Sequence, residues 1–399
     1  MTRTHHAIVG TALLIGTLTL GVERTRAHKP ITSPFTYNED VFPILKDRCA
    51  RCHAPEGVGP MSLMTYEDTV PWGESIRVEL LAGHMPPWSV DAAPARFRNV
   101  RPLSARDINV LLTWATGGTP LGDPAKTPEA IALERRWPLG MPDLELPLPR
   151  EFTLAENQQE EIAEFVVPTS VSERRWLRAV DLAPGTPAIV RSATVQIRST
   201  SSTGSNQLLA EPMLALWLPG DDPIAADGTA AFELPAGAEL LVRIRYKKTW
   251  QYERKELRDR STIGLYFARE TSEPVRALAI TGRMSSQSAA PGKQSFSQTI
   301  DENVHAVAVY PNEHPPNAGV VVTAVAPDGS RRELIAFHPR RDWARRYWFQ
   351  EPIPLTRGTT LETTVVIDDE TPLLPVGPAA QPQADQSRLH LTLNVVTAR

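Results

Sequence analysis

Cys49-Ala50-Arg51-Cys52-His53 holds the only two cysteines of a 399-residue chain, three positions apart and followed at once by a histidine. Two thiols on one helical turn can each add to a vinyl group of a porphyrin while the next imidazole reaches the iron. Five residues thereby fix three bonds of one covalently attached haem c. A thioredoxin-type dithiol would need βαβ surroundings, and half a zinc site would need a second cysteine pair; the sequence offers neither. With both thiols committed, no disulfide is available.

Outward from this pentapeptide the text is helical. Glu39-Asp40 precede Val41, Phe42, Ile44 and Leu45, which predict a short amphipathic helix running into Cys49. Gly57 to Pro60 read as a loop, and Pro60 is placed to present a neighbouring carbonyl to His53. Tyr66 to Ala82 predicts a second helix, broken by Gly83-His84-Met85-Pro86-Pro87-Trp88. Ser104 with Asp107 three residues on predicts a capping box that opens a last helix, closed by Gly117-Gly118. The sixth ligand of the iron is expected from Met85, whose following prolines stiffen the loop, with His84 the competing donor. Met61 and Met64 are further candidates that otherwise pack the haem edge. Trp72, Trp88, Phe97 and Trp114 are candidates to wall the haem, plain core being the commoner role of such aromatics, and Phe42 is expected to meet Trp114. An open sixth position would instead point to ligand binding, as in a haem sensor.

Towards the N-terminus, Arg3, the apolar run Ala7 to Val22 and Thr25-Arg26-Ala27 read as a signal peptide over residues 1–27, an uncleaved anchor being the alternative. Cleavage would leave His28 terminal, a weak copper signal. Towards the C-terminus, residues 126–145 form a proline-rich linker, after which the period changes from helical to alternating. Ile189 to Ile197, Glu239 to Tyr246, Ser261 to Phe267, His305 to Tyr310, Val320 to Val325, Thr360 to Ile367 and Leu389 to Val396 predict strands. Asp328-Gly329 predicts a hairpin. Leu234-Pro-Ala-Gly237-Ala-Glu-Leu240 matches Leu355-Thr-Arg-Gly358-Thr-Thr-Leu361 about 120 residues later, the length of one β-sandwich. Two similar sandwiches, 146–272 and 273–399, are therefore expected.

Composition is that of an ordinary folded protein, 41% hydrophobic and 22% charged. The 42 Lys and Arg nearly balance the 46 Asp and Glu, so a net charge of -4 gives no field suited to nucleic acid. No stretch after the signal peptide is long enough to span a bilayer.

Tyr37 to Asp123, with Cys49-Ala-Arg-Cys52-His53, Met64-Thr-Tyr-Glu-Asp68, Met85-Pro-Pro-Trp88, Leu103-Ser-Ala-Arg-Asp-Ile108 and Trp114-Ala-Thr-Gly-Gly118, resembles the class I-like cytochrome c domains of exported bacterial proteins. The remainder, with Trp217-Leu-Pro-Gly220, Leu234-Pro-Ala-Gly237 and Ser261-Thr-Ile-Gly-Leu-Tyr-Phe267, resembles the copper type II ascorbate-dependent monooxygenases of the peptidylglycine hydroxylating type. The resemblance implies a multidomain fold: an N-terminal all-α cytochrome c domain over residues 35–125 with His53/Met85 ligation, then all-β tandem jelly-roll-like sandwiches. Where that enzyme family carries copper-binding histidines, this chain has Val190-Arg191-Ser192 and Arg243-Ile244-Arg245-Tyr246-Lys247, and the region keeps only His305, His314, His338 and His390. Arg254, Lys255 and Arg258 suggest a basic patch or simply a solvated loop.

The expected function is accordingly one-electron transfer by a periplasmic or otherwise exported monohaem c-type cytochrome, with the sandwiches as a copper-free docking or scaffold module. The expected partner is a redox protein of the periplasm, within a larger complex or outside one. The competing expectation is a monooxygenase-like oxidoreductase in which the haem feeds electrons to a site on the β region.

Overall fold

A computed structural model describes residues 32–87, 97–129, 137–198, 213–224, 230–270, 273–283, 292–315, 318–339, 343–367 and 388–398. The expected signal peptide, His28 and Trp88 lie outside them. Among the described residues no helix is long and apolar enough to cross a membrane. Of these residues 44% lie in strands and 17% in helices. This corrects the expected fold class, because the chain is predominantly β and its N-terminal part holds only short helices instead of an all-α cytochrome c domain.

The helices are short for identifiable reasons. A π-helical turn, Tyr37–Val41, runs into α1, Phe42–Arg48, which ends at the cysteine motif. The expected helix over Tyr66 to Ala82 is broken. Pro71 has no N–H to give the carbonyl one turn back, so α2 (Tyr66–Thr69) passes through a 3-10 turn before α3 (Gly73–Leu81). Among the described residues only α4, Ala105–Thr116, exceeds nine residues, and its N-terminus carries the full Ser104/Asp107 capping box. These pieces share a small core around Tyr37, Leu45, Leu111 and Trp114. Phe42 and Trp114 both face Tyr37, at 5.8 and 6.2 Å between ring centroids, so the tyrosine stands between the two rings expected to meet.

Two β-sandwiches follow, antiparallel except where the short last strand of one sheet lies parallel to its neighbour. In the first, β3 (Glu160–Pro168), β8 (Glu239–Lys247), β5 (Val190–Ile197) and β6 (Met213–Trp217) form one sheet in that order. The opposing sheet runs β1 (Leu144–Pro147), β10 (Thr262–Phe267), β4 (Arg175–Ala183), β7 (Ala230–Leu234) and β11 (Glu273–Pro274), while β2 (Phe152–Leu154) pairs with β9 (Leu257–Asp259). In the second sandwich β12 (Arg276–Arg283), β19 (Arg388–Thr397), β14 (Val304–Glu313) and β17 (Tyr347–Leu355) form one sheet. The other contains β13 (Gly292–Thr299), β18 (Thr360–Ile367), β15 (Ala318–Val325) and β16 (Arg331–Phe337). Strands such as β8 and β15 alternate buried and half-buried residues, as a sheet with one face on a core requires. The two Leu-x-x-Gly-x-x-Leu turns take equivalent places, β7 to β8 and β17 to β18, with Gly237 and Gly358 at φ 67° and 88°, where a Cβ would be strained.

The three parts are not separate bodies. Trp348 and Val396 of the second sandwich are buried in the core of the first. Between α3 and α4, residues 97–99 lie against the second sandwich. Phe97 bridges to Phe349 on β17, stacks on it at 5.5 Å, lies 5.7 Å from Tyr347, and is 4% exposed in the second sandwich's core. Asn99 fixes the crossing by donating to the Arg346 carbonyl at 2.6 Å and accepting from the Trp348 amide at 3.2 Å. Residues 35–125 therefore do not close on themselves as a self-contained helical domain. The apolar ring of Phe97 gains a dry β core and does not wall a haem.

Candidate functional site

The cysteine motif forms one tight turn at the end of α1. The Cys49 amide donates to Leu45, closing the helix at 2.8 Å. The amides of Cys52 and His53 both donate to the Cys49 carbonyl, at 3.1 and 2.9 Å, so the two thiols and the imidazole leave the chain within a single turn. The loop 57–63 then folds back over the histidine: Gly59 donates to the Cys52 carbonyl at 2.8 Å and Leu63 to the His53 carbonyl at 2.9 Å. His53 is buried, and its Nδ1 lies 3.2 Å from the carbonyl of Met61. That carbonyl comes from the residue after Pro60 and holds the ring so that Nε2 is the nitrogen left to ligate a metal. Burial lowers the pKa of the imidazole, favouring the neutral form a ligand must take.

Two glycines make this closeness feasible. A methyl group on Gly59 would lie 2.6 Å from His53 Nδ1, and one on Gly57 would lie 2.4 Å from the Cys52 carbonyl oxygen. Neither position tolerates a side chain without the loop moving.

The motif is also docked on the first sandwich. Arg51 donates to the Gly220 carbonyl at 3.1 Å and pairs with Asp222 at 2.7 Å. Cys52 Sγ lies 3.6 Å from the Pro219 carbonyl. From the sheet side Arg191 on β5 donates to Val58 in the loop, and to Lys247 at 3.1 Å. Burial pushes both thiols up to about 12 and draws the Arg191 guanidinium down to about 10. A catalytic dithiol works through its thiolate, which this environment suppresses.

The candidates for a sixth ligand are divided. Met85 is exposed beyond the end of α3, outside the apolar core that Met61 and Met64 join. The neighbouring His84 ring is engaged, its Nδ1 3.1 Å from the Glu79 carboxylate. Trp114 is completely buried and donates its indole N–H to Pro120 at 3.1 Å, a core role, and Trp72 is half-buried.

In the β region Arg243 pairs with Glu164 and Arg245 with Glu160 across β8 and β3. His314 turns Nδ1 to the Pro315 carbonyl at 2.9 Å. Among the described residues no group of three or more His, Cys, Asp or Glu side chains is placed to hold a metal ion. Arg258 pairs with Glu151 and Glu256, and Lys255 lies over the Tyr252 ring, in keeping with a solvated loop and not a basic patch.

Sequence reasoning missed the arginines at the junction of the three parts. Arg346 is buried among the rings of Phe232, Tyr310 and Trp348, with centroids 5.0 to 5.5 Å away, and donates to the Leu214 carbonyl at 3.1 Å. Arg345 pairs with buried Asp221, whose carboxyl burial raises to about 6. Tandem Arg345-Arg346 just before an aromatic strand was the only available signal.

No family model matches this chain, and no curated protein does. Solved structures give only remote likenesses. One is to a putative alpha-L-fucosidase from Bacteroides ovatus, at 11% identity and a TM-score of 0.19, over 62% of this chain and 38% of that one. Another is to the major capsid protein P2 of bacteriophage PM2, at 8% identity and a TM-score of 0.24, over 63% of this chain and 99% of that one. This chain thus spans well under half of the fucosidase, and likenesses this distant carry no argument about function. The resemblance to class I-like cytochrome c domains fused to a copper monooxygenase module is corrected on two grounds. The fold is predominantly β with short helices, and no family model or curated protein supports a cytochrome.

Proposed function

We propose that the chain carries one haem c, attached through Cys49 and Cys52 with His53 as axial ligand, and that it serves in one-electron transfer. The observation that carries this reading is the motif turn itself: two thiols and an imidazole on one turn, with His53 Nδ1 held by the Met61 carbonyl and Nε2 left for iron. The donor set fits the group. Bound there, the iron would exchange one electron between Fe(II) and Fe(III). The chain's own residues hold and shield it. Gly57 and Gly59 let the loop close on the histidine, Arg51 ties the motif turn to the first sandwich, and Arg191 ties the loop to it. Met85 is the favoured second ligand, because His84 is engaged by Glu79.

The sandwiches are proposed as the scaffold that presents the haem to a redox partner outside the cytoplasm. The support is that Arg191, Arg243 and Arg245 are spent on the Val58 carbonyl, Glu164 and Glu160. The test is production in a host that attaches haem covalently, followed by a haem stain after denaturing electrophoresis, metal analysis and a visible spectrum. Haem that resists denaturation and is lost in the Cys49→Ser/Cys52→Ser variant is expected, with iron and no stoichiometric copper. A haem-free chain in a host that loads a control cytochrome would overturn the haem, and dialysis-resistant copper would overturn the scaffold. Met85→Ala is expected to abolish the long-wavelength band of methionine-ligated ferric haem, and His84→Ala to keep it.

A further inference from the structure

The loop that follows β6, Leu218 to Asp222, is closed by the Asp221 amide donating to the Leu218 carbonyl at 3.1 Å, with Gly220 at φ 80° in the turn. It reaches the motif at Cys52 Sγ, the atom through which haem would be bonded. The Pro219 carbonyl oxygen lies 3.6 Å from that sulfur, and a methyl group on Gly220 would lie 3.2 Å from it and 3.3 Å from Arg51 Cβ. All three parts of the molecule hold the loop in place. Arg51 of the motif donates to the Gly220 carbonyl at 3.1 Å and pairs with Asp222 at 2.7 Å. Arg101, ahead of α4, lies 3.4 Å from the other oxygen of Asp222. Arg345 of the second sandwich pairs with Asp221, the two side chains being 4% and 11% exposed. We propose that this loop is a shield built into the chain: it covers the edge of the haem bonded to Cys52, keeps water off it, and so raises the reduction potential of the iron. This deepens the haem reading and rests on it.

The sign follows from where the contact falls. A thioether carbon is bonded to Sγ itself, so a loop that touches this sulfur also touches the edge of the group attached to it. Pro219 is buried and Gly220 has no side chain, so the backbone comes close without placing a charged group on the sulfur. The charges that fix the loop are matched within the chain, Asp221 with Arg345 and Asp222 with Arg51 and Arg101. They act as tethers, and exclusion of water remains as the net effect on the iron. Ferric iron carries one more positive charge than ferrous iron, and taking charge out of water is unfavourable. Burial of the edge therefore favours the reduced state, as solvent exposure would favour the oxidised one. Gly220 is the residue on which the closeness depends. At φ 80° a side chain is strained, and its Cβ would sit nearer to Sγ than an ordinary contact allows. Alanine there lifts the loop from the sulfur.

The test uses the full-length chain loaded in a host that attaches haem, with covalent haem verified by stain before potentials are measured by spectroelectrochemical titration. Gly220→Ala changes no charge. It is expected to lower the ratio of Fe(II) to Fe(III) at a fixed ambient potential about tenfold or more, a fall of about 59 mV for one electron. Asp222→Asn keeps the loop backbone and loosens the Arg51 tether. Loss of a nearby carboxylate would by itself raise the potential, so the fall expected here separates exposure from charge. Gly237→Ala is the control, a glycine at φ 67° with open space around it in the turn from β7 to β8, and is expected to keep the wild-type potential. A second readout needs no haem: in the haem-free Cys49→Ser chain, Gly220→Ala should speed alkylation of Cys52 about tenfold. Covalent haem with an unchanged potential in Gly220→Ala, a rise in Asp222→Asn, an equal fall in Gly237→Ala, or an unchanged alkylation rate would each overturn the shield and leave the haem reading standing. A chain that takes up no haem overturns that reading and the shield with it.

Discussion

Replacing Gly59 by alanine probes the packing that orients His53. The new methyl would lie 2.6 Å from Nδ1, 2.9 Å from Cε1 and 2.9 Å from the Cys52 carbonyl oxygen, against an ordinary contact of 3.4 Å or more. The ring is 9% exposed and cannot swing out freely, so it or the loop must move by most of an ångström. Overpacking of this kind costs about 1–3 kcal/mol, and breaking the Nδ1···Met61 contact adds about 1 kcal/mol. A total of about 2–4 kcal/mol would lower amide protection in the loop roughly 30- to 700-fold, at 1.4 kcal/mol per decade. The amides to follow are those of residue 59 and Leu63, which donate to Cys52 and His53. Gly83→Ala supplies the comparison. That glycine has φ 66° but open space around it, so the substitution costs only about 1–2 kcal/mol of backbone strain. Protection in Gly59→Ala within threefold of wild type, or a smaller global destabilisation than in Gly83→Ala, would refute the account.

Phe97→Ala is expected to cost about 3–5 kcal/mol, as emptying a buried aromatic site does, and the loss should appear as faster exchange in β17 with α4 little affected; the reverse pattern would restore Phe97 to the helical part. Burial raises the Asp181 carboxyl to about 7, so the native state keeps a proton that the unfolded chain releases near pH 4. Its stabilising effect is complete below about pH 4 and is lost as pH rises to about 7, a difference of about 4 kcal/mol at 1.36 kcal/mol per pK unit. Asp181→Asn should therefore gain in melting temperature over wild type from pH 5 to pH 8, and an equal difference at both pH values would sink the reasoning. Arg191→Ala leaves the carbonyls of Val58 and Lys247 without their guanidinium donor, so in the haem-free chain Cys52 should be alkylated faster than in wild type, with unchanged rates counting against docking through Arg191.

What the sequence disclosed is what local chemistry dictates. Ser104 and Asp107 announce their capping box because both partners lie within one turn, and Asp328-Gly329 announces its hairpin because Gly329 supplies φ 83° between β15 and β16. The Cys49–His53 turn is local in the same sense. The largest errors are non-local. Nothing near Phe97 distinguishes an aromatic that walls a haem from one that crosses to β17, since its partners Tyr347 and Phe349 lie some 250 residues away. Strand β17 escaped notice because Pro352 and Pro354 interrupt it, and β13 because Gly292-Lys-Gln-Ser-Phe-Ser-Gln-Thr299 alternates without a strongly apolar face. Arg191 read as the loss of a metal ligand, whereas its contact with Val58 shows what the residue does instead.

The same non-local docking bears on how the proposed haem would be attached. Cys52 is covered by Pro219 and Gly220, and burial pushes both motif thiols up to about 12. Forming a thioether needs an accessible sulfur and is fastest from the thiolate, and in the folded chain both cysteines are only partly exposed and their thiols are shifted away from the thiolate. The attachment of haem proposed above is therefore expected to be faster before docking than after it. In a reducing mixture of haem and haem-free protein, covalent loading should proceed on the urea-unfolded chain and stall on the native one. Arg191→Ala, which loosens the contact, should recover part of the native-state rate. Native protein that loads as fast as unfolded protein would show that the motif opens freely, and that the contacts of Arg51, Cys52 and Arg191 with the sandwich do not bury it in solution.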